Sequence, residues 1–127
     1  MNKRSRQQKK SKKKSSQKIA AKQGSPAGGD IKVWLDDWRP EPAGWVRCYR
    51  VDQVIRLLKQ QIVSEMSLDH DLGDGLEPGV RVLDWLEEQA HFDPEFRIPR
   101  IHVHSANPYG RAIMIAIARR IRTRGRG

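Results

Sequence analysis

Three short apolar stretches each run directly into a cluster of chemistry-bearing residues: Ile31-Lys32-Val33-Trp34-Leu35 into Asp36-Asp37, Val63 to Leu68 into Asp69-His70-Asp71, and Arg100-Ile101-His102-Val103-His104 into Ser105-Ala106-Asn107. Between and after them lie segments of helical period. Val54, Ile55, Leu58 and Ile62 recur behind Asp52, which is placed to cap a first helix, and Val82, Leu83, Leu86 and Ala90 form the apolar side of a second, starting at about Pro78 and exposing Asp84, Glu87 and Glu88. Ile113, Ile117 and Ile121 follow Asn107-Pro108, a cap residue and a first-turn proline. A fourth strand is expected at Val46 to Val51, while Arg39-Pro40-Glu41-Pro42 excludes regular structure because two prolines remove donors and fix φ. Strands joined through helices pair in parallel by right-handed crossovers, and ligands of such sheets gather beyond the carboxyl ends of the strands. The polar clusters stand at those ends.

Charge divides the chain at residue 29. Residues 1–29 contain ten Lys/Arg, no acid, and only Met1 and Ile19 as aliphatic residues larger than Ala, so nothing there offsets the ~1–2 kcal/mol per residue cost of ordering a backbone. A disordered basic tail is expected at 1–29 and one folded domain at 30–127, whose net charge is zero within a chain of net +10. Such a tail suits non-specific contact with nucleic-acid phosphates; its lack of aromatics argues against base reading, and solubilisation is the simpler alternative. No apolar run has the length of a signal sequence or a membrane span, which leads to a cytoplasmic expectation without membrane attachment. The single Cys48 has no internal disulfide partner and reads as a strand residue rather than a nucleophile.

The strings Leu35-Asp36-Asp37-Trp38-Arg39-Pro40, Ser67-Leu68-Asp69-His70-Asp71-Leu72-Gly73 and His104-Ser105-Ala106-Asn107-Pro108, with Gly44-Trp45 and Asp84-Trp85, resemble the cyclic-phosphate processing receiver domains, relatives of response-regulator receivers. The likeness runs from about Ile31 to Ile121. It implies a receiver-like, flavodoxin-like α/β fold, expected here as a four-stranded parallel sheet in order 2-1-3-4 with helices on both faces, and action on a cyclic phosphate. Compared with an ordinary receiver, Arg39 to Gly44 replace a first helix and the usual fifth-strand lysine is missing, which argues against phosphorelay signalling.

The residues support this chemistry independently. Carboxylates repel a phosphate ester unless a cation intervenes, and Mg²⁺, with Mn²⁺ as alternative, takes oxygen ligands from a few carboxylates. Asp36, Asp37 and Asp69 are the expected ligands, with Asp71 a fourth whose direction depends on the turn at Leu72-Gly73. Opening a cyclic diester moves one proton from water and one to the leaving alkoxide, work suited to histidine, so His70 and His104 join Asp69 as catalytic candidates. Arg39, Ser105 and Asn107 are expected to bind phosphate oxygens, helped by the amides of the helix starting at Pro108. A calcium loop at Asp69 fails, because Gly73, Asp74 and Val80 occupy its fifth, sixth and twelfth positions. His91, in an expected loop, and His102 are read as structural, and Trp34, Trp38, Trp45 and Trp85 as core or pocket wall.

The expected function is therefore metal-assisted hydrolysis of a cyclic phosphate on a nucleotide, an ADP-ribose derivative or an RNA end. The alternatives are a receiver-like module that binds a phosphorylated ligand without turnover, and a nucleic-acid or ribonucleoprotein accessory factor acting through the tail.

Overall fold

The computed structural model describes residues 31–125. The expected tail, with its nucleic-acid contacts, lies outside them. Four strands, β1 (Ile31–Leu35), β2 (Trp45–Cys48), β3 (Val63–Leu68) and β4 (Arg100–Val103), form one parallel sheet in the order β2-β1-β3-β4, the 2-1-3-4 arrangement expected. Three helices, α1 (Val51–Lys59), α2 (Val80–Phe92) and α3 (Pro108–Gly125), complete the domain.

The helix ends differ from expectation in instructive ways. Asp52 falls inside the first turn of α1 and pairs with Arg50 (2.9 Å), where its charge still favours the helix dipole. Capping passes to Gln53, whose side-chain oxygen accepts the amides of Tyr49 (2.7 Å) and Arg50 (3.0 Å). α2 starts at Val80 rather than Pro78 and continues through His91, so that residue lies in its last turn and not in a loop. Asn107 does cap α3, its Oδ1 accepting the Gly110 amide (3.1 Å). On α3 the buried stripe is Met114, Ile117 and Ile121, whereas Ile113 is 37% exposed.

The helices do not divide between the two faces of the sheet as expected. α1 contacts α2, α2 contacts α3, and one continuous core joins Val54, Leu58, Leu83, Leu86, Met114 and Ile121 to Val33, Leu35, Met66 and Leu68, which all project from one face. The reason is topological. The crossovers β2-α1-β3 and β3-α2-β4 step the same way across the sheet, so right-handedness puts both helices on the same side. The step from β1 to β2 runs the other way and would cover the second face, but its linker of two prolines and a glycine holds no helix. Among the described residues that second face carries Lys32, Trp34, Trp45, Arg47, Glu65, Ser67, Arg100 and His102, by strand alternation and register.

Candidate active site

Backbone ladder bonds extend one residue past the strands and bring the three polar strings level. The amide of Asp36 donates to the Cys48 carbonyl (3.1 Å), that of Asp69 to Leu35 (3.0 Å) and that of His104 to Leu68 (3.0 Å). Alternation then sends Asp36, Asp69 and His104 toward the open-face side of the edge, and Asp37, His70 and Ser105 toward the helix side.

Asp36 is fully buried and fully engaged. Its Oδ1 accepts the amides of Trp38 and Arg39, both at 2.8 Å, so it caps the turn that follows β1. Its Oδ2 accepts from the Arg39 guanidinium (3.1 Å) and meets His104 Nε2 at 2.9 Å. A carboxylate offers about four acceptor positions, and all are used. Burial alone would raise the pKa of this group, but the two amides, His104 and Arg39 together hold it below the usual carboxylate range. Asp69 responds oppositely. Burial, then the charge of Asp36, push it above that range against the His70 amide, His104 and Arg39. Its Oδ1 accepts the His70 amide (2.8 Å), while Oδ2 lies 3.7 Å from the Arg39 guanidinium. Asp37 is exposed, and oxygens of Asp36, Asp37 and Asp69 come within 4.8 Å of one another.

The two histidines occupy different environments. His104 is held at every point: Nδ1 meets Ser67 Oγ at 2.7 Å, Nε2 meets Asp36, and its ring stacks on Trp34 with centroids 3.9 Å apart and planes 3° from parallel. Both nitrogens are committed within the protein. His70 is held at one nitrogen only, Nδ1 meeting Asp71 Oδ1 at 2.7 Å, which leaves Nε2 without a protein partner among the described residues. Asp71 is in turn tied to Asn107, whose Nδ2 donates to it at 3.4 Å, and the His70 contact, ahead of an opposing burial effect, holds the Asp71 pKa below its ordinary value. The His70 ring lies against Gly110 at the start of α3, where an added Cβ would meet ring atoms at 2.6–2.9 Å.

Every residue singled out from the sequence for the site is therefore at this edge, but several have their atoms occupied. Arg39 is the cation between Asp36 and Asp69. Ser105, buried, accepts the Asn107 amide with its Oγ (3.1 Å), and Asn107 spends its side chain on capping α3 and holding Asp71. Trp34 and Trp45 make an edge contact at 6.0 Å and Trp34 walls the site, but Trp38 is 78% exposed rather than packed. Cys48 is buried at the end of β2, and burial, with the Asp52 charge adding, pushes its thiol up to about 11, as befits an inert strand residue.

Sequence reasoning passed over three positions. Ser67 orients His104 and is visible only once β3 and β4 are in register. Gly79 admits no side chain, because a Cβ there would overlap the Asp69 carbonyl oxygen, and its amide donates to the His70 carbonyl (2.8 Å). Gly110 makes the corresponding room for the His70 ring.

The model of the cyclic-phosphate processing receiver domain family matches residues 31–120, nearly all of the described domain. The chain belongs to this family. No curated protein and no solved structure matches it closely enough to add to that assignment. In this receiver domain the matched segment contains the whole carboxyl edge, from Asp36 to the α3 cap. No helix among the described residues is long and apolar enough to cross a membrane.

Proposed function

We propose that this receiver domain hydrolyses a cyclic phosphate ester with the help of a divalent cation, using a His70–Asp71 pair to move the proton. The observation that carries the reading is the placement of an oriented histidine with a free nitrogen beside a set of close carboxylates at one sheet edge. A general base is recognised by such an orienting partner, and Asp71 fixes the tautomer that leaves His70 Nε2 able to accept. The reaction is a hydrolysis: water adds its oxygen to phosphorus, a ring P–O bond breaks, and a monoester with one free hydroxyl results. His70 Nε2 takes the proton of the attacking water and returns one to the leaving oxygen.

The carboxylates fit a cation. Asp69 is disfavoured as an anion by burial and by Asp36, a charge surplus that a cation relieves, and Mg²⁺ commonly takes only one or two protein carboxylates. Asp37 and Asp69 would hold it, with Asp71 and the fully engaged Asp36 as supports rather than direct ligands. When bound, Mg²⁺ or Mn²⁺ supplies Lewis-acid polarisation of the phosphoryl oxygens. Arg39 is 36% exposed at its side chain and turns from the acids to a phosphate oxygen without leaving the cleft. His104 is assigned the positioning of Asp36, and through Asp36 of Arg39. A nucleotide, an ADP-ribose derivative and an RNA end all present the required ester.

The same arrangement also suits a binding module without turnover, because the Arg39 guanidinium already bridges Asp36 and Asp69 and supplies part of the positive charge that a metal would bring. Two variants of the full-length protein separate these readings. Asp69→Asn is expected to lose Mn²⁺ binding in calorimetric titration together with turnover. His70→Ala is expected to keep Mn²⁺ binding while hydrolysis of a cyclic nucleotide slows by ~10²–10⁴, the usual worth of a positioned base. Unchanged rates in both variants, or a wild-type protein that binds cyclic nucleotides without metal and never opens them, would favour the module.

A further inference from the structure

The sheet face that no described helix covers is unlike a solvated surface. Trp45 and Trp34 lie side by side on it, Lys32 Nζ sits 5.7 Å from the Trp45 ring centre, and the Arg47 guanidinium lies 4.6 Å over Tyr49, itself 47% exposed. Lys32, Arg47 and Arg100 outnumber the one strand carboxylate of the face, Glu65, which is itself paired with His102 at 2.6 Å; Glu41, from the linker between β1 and β2, reaches Arg47 at 3.8 Å. The face also leads into the catalytic edge without a break, since Trp34 stacks on His104 and His104 holds Asp36. Aromatic rings interleaved with cations on a four-stranded sheet are what single-stranded nucleic acid requires, bases stacking on rings while phosphates meet the charges, and such a sheet accommodates two or three bases.

We propose that this open face docks the last nucleotides of a single-stranded RNA whose end carries the phosphate treated in the cleft, with Trp45 stacking a base and Lys32 and Arg100 meeting the backbone. The proposal rests on the hydrolase reading and specifies its substrate as an RNA end rather than a free nucleotide. Hydrolysis of a small cyclic nucleotide needs only the edge, whereas affinity for the RNA needs the face.

The test uses full-length protein and a short fluorescent single-stranded RNA ending in a 2′,3′-cyclic phosphate, followed by anisotropy without added metal. Work at about 0.5 M salt suppresses contacts made only through phosphates, those of the basic segment 1–29 included, and leaves stacking. Trp45→Ala is expected to weaken RNA binding by about 5- to 150-fold, the range for one stacked base, and Trp45→Phe to restore most of it. The loss for a 2′,3′-cyclic mononucleotide should be much smaller. If Trp45→Ala fails to fold, the charge reversals Lys32→Glu and Arg100→Glu at exposed positions carry the test at low salt, where each should weaken RNA binding several-fold. Equal affinity of wild type and Trp45→Ala, no rescue by phenylalanine, or charge reversals without effect would overturn the proposal. A dimer in sedimentation that Trp45→Ala dissociates would do so too, by giving the face to a second copy. Hydrolysis of mononucleotides with no face-dependent RNA binding removes this inference alone, whereas Trp45-dependent RNA binding with no hydrolysis of any cyclic phosphate removes the enzyme reading and leaves the docking face.

Discussion

Two aspartates at adjacent strand ends face opposite electrostatic situations, and the difference can be measured. The carboxyl of Asp69 is raised above its ordinary value, first by burial and then by Asp36, so its ionised form is less stable in the folded protein than in the unfolded chain. That cost is present above the folded-state value and fades as pH falls through it, since the native state then binds the extra proton. Asp69→Asn keeps an oxygen for the His70 amide and removes the charge, so it should raise the melting temperature at pH 7 while abolishing turnover, with the gain shrinking in acid. Thermal melts of the full-length pair at neutral and acid pH check this; a lower melting temperature for the variant at pH 7 would show that Asp69 is held as a favourable anion. Asp36 has the reverse sign: its stabilisation is present at neutral pH and lost only below the usual carboxylate range. At this scale the sequence revealed which residues gather but not which atoms remain free. His70 and His104 stand in equally suggestive strings, and only the register that places Ser67 and Trp34 around His104 shows that its two nitrogens are taken.

At the scale of the elements, two helix starts press against the site and two glycines let them. Gly79 precedes α2 with its Cα against the Asp69 carbonyl, and Gly110, in the first turn of α3, lies against the His70 ring. Gly79→Ala should cost about 1–3 kcal/mol as overpacking against backbone and should impair metal binding by displacing Asp69. Gly110→Ala should slow hydrolysis yet spare metal binding, because only the His70 ring must move; circular-dichroism melts with Mn²⁺ titrations separate the two, and identical behaviour of both variants would contradict the arrangement. Strand and helix identities were legible from periodicity, and Asn107-Pro108 marked the start of α3 through its cap. The caps of α1 and α2 were not, because Gln53 reaches back across the turn and Gly79 has no side chain with which to signal. The expectation of helices on both faces followed the general habit of parallel sheets. The strand order, taken with right-handed crossovers, already confined α1 and α2 to one side.

For the whole molecule, the short linker between β1 and β2 has two effects at once. It leaves one sheet face without a described helix, and it folds back over the edge so that the Arg39 carbonyl accepts the Trp34 indole (3.0 Å) while the Arg39 guanidinium bridges Asp36 and Asp69. The carboxyl edge of this receiver domain thereby carries aspartates and two histidines, and an aromatic face adjoins it. Family membership accounts for the frame; the proposal of hydrolysis rests on the His70–Asp71 pair beside the carboxylates. Phosphorus-31 NMR of a nucleoside 2′,3′-cyclic phosphate incubated with the full-length protein tests this most directly. With Mg²⁺ or Mn²⁺ the cyclic diester resonance should be replaced by that of a monoester, and chelation of the metal or Asp69→Asn should stop the conversion. A cyclic resonance that persists with either metal for this ester, for a cyclic ADP-ribose phosphate and for an RNA end would contradict the account.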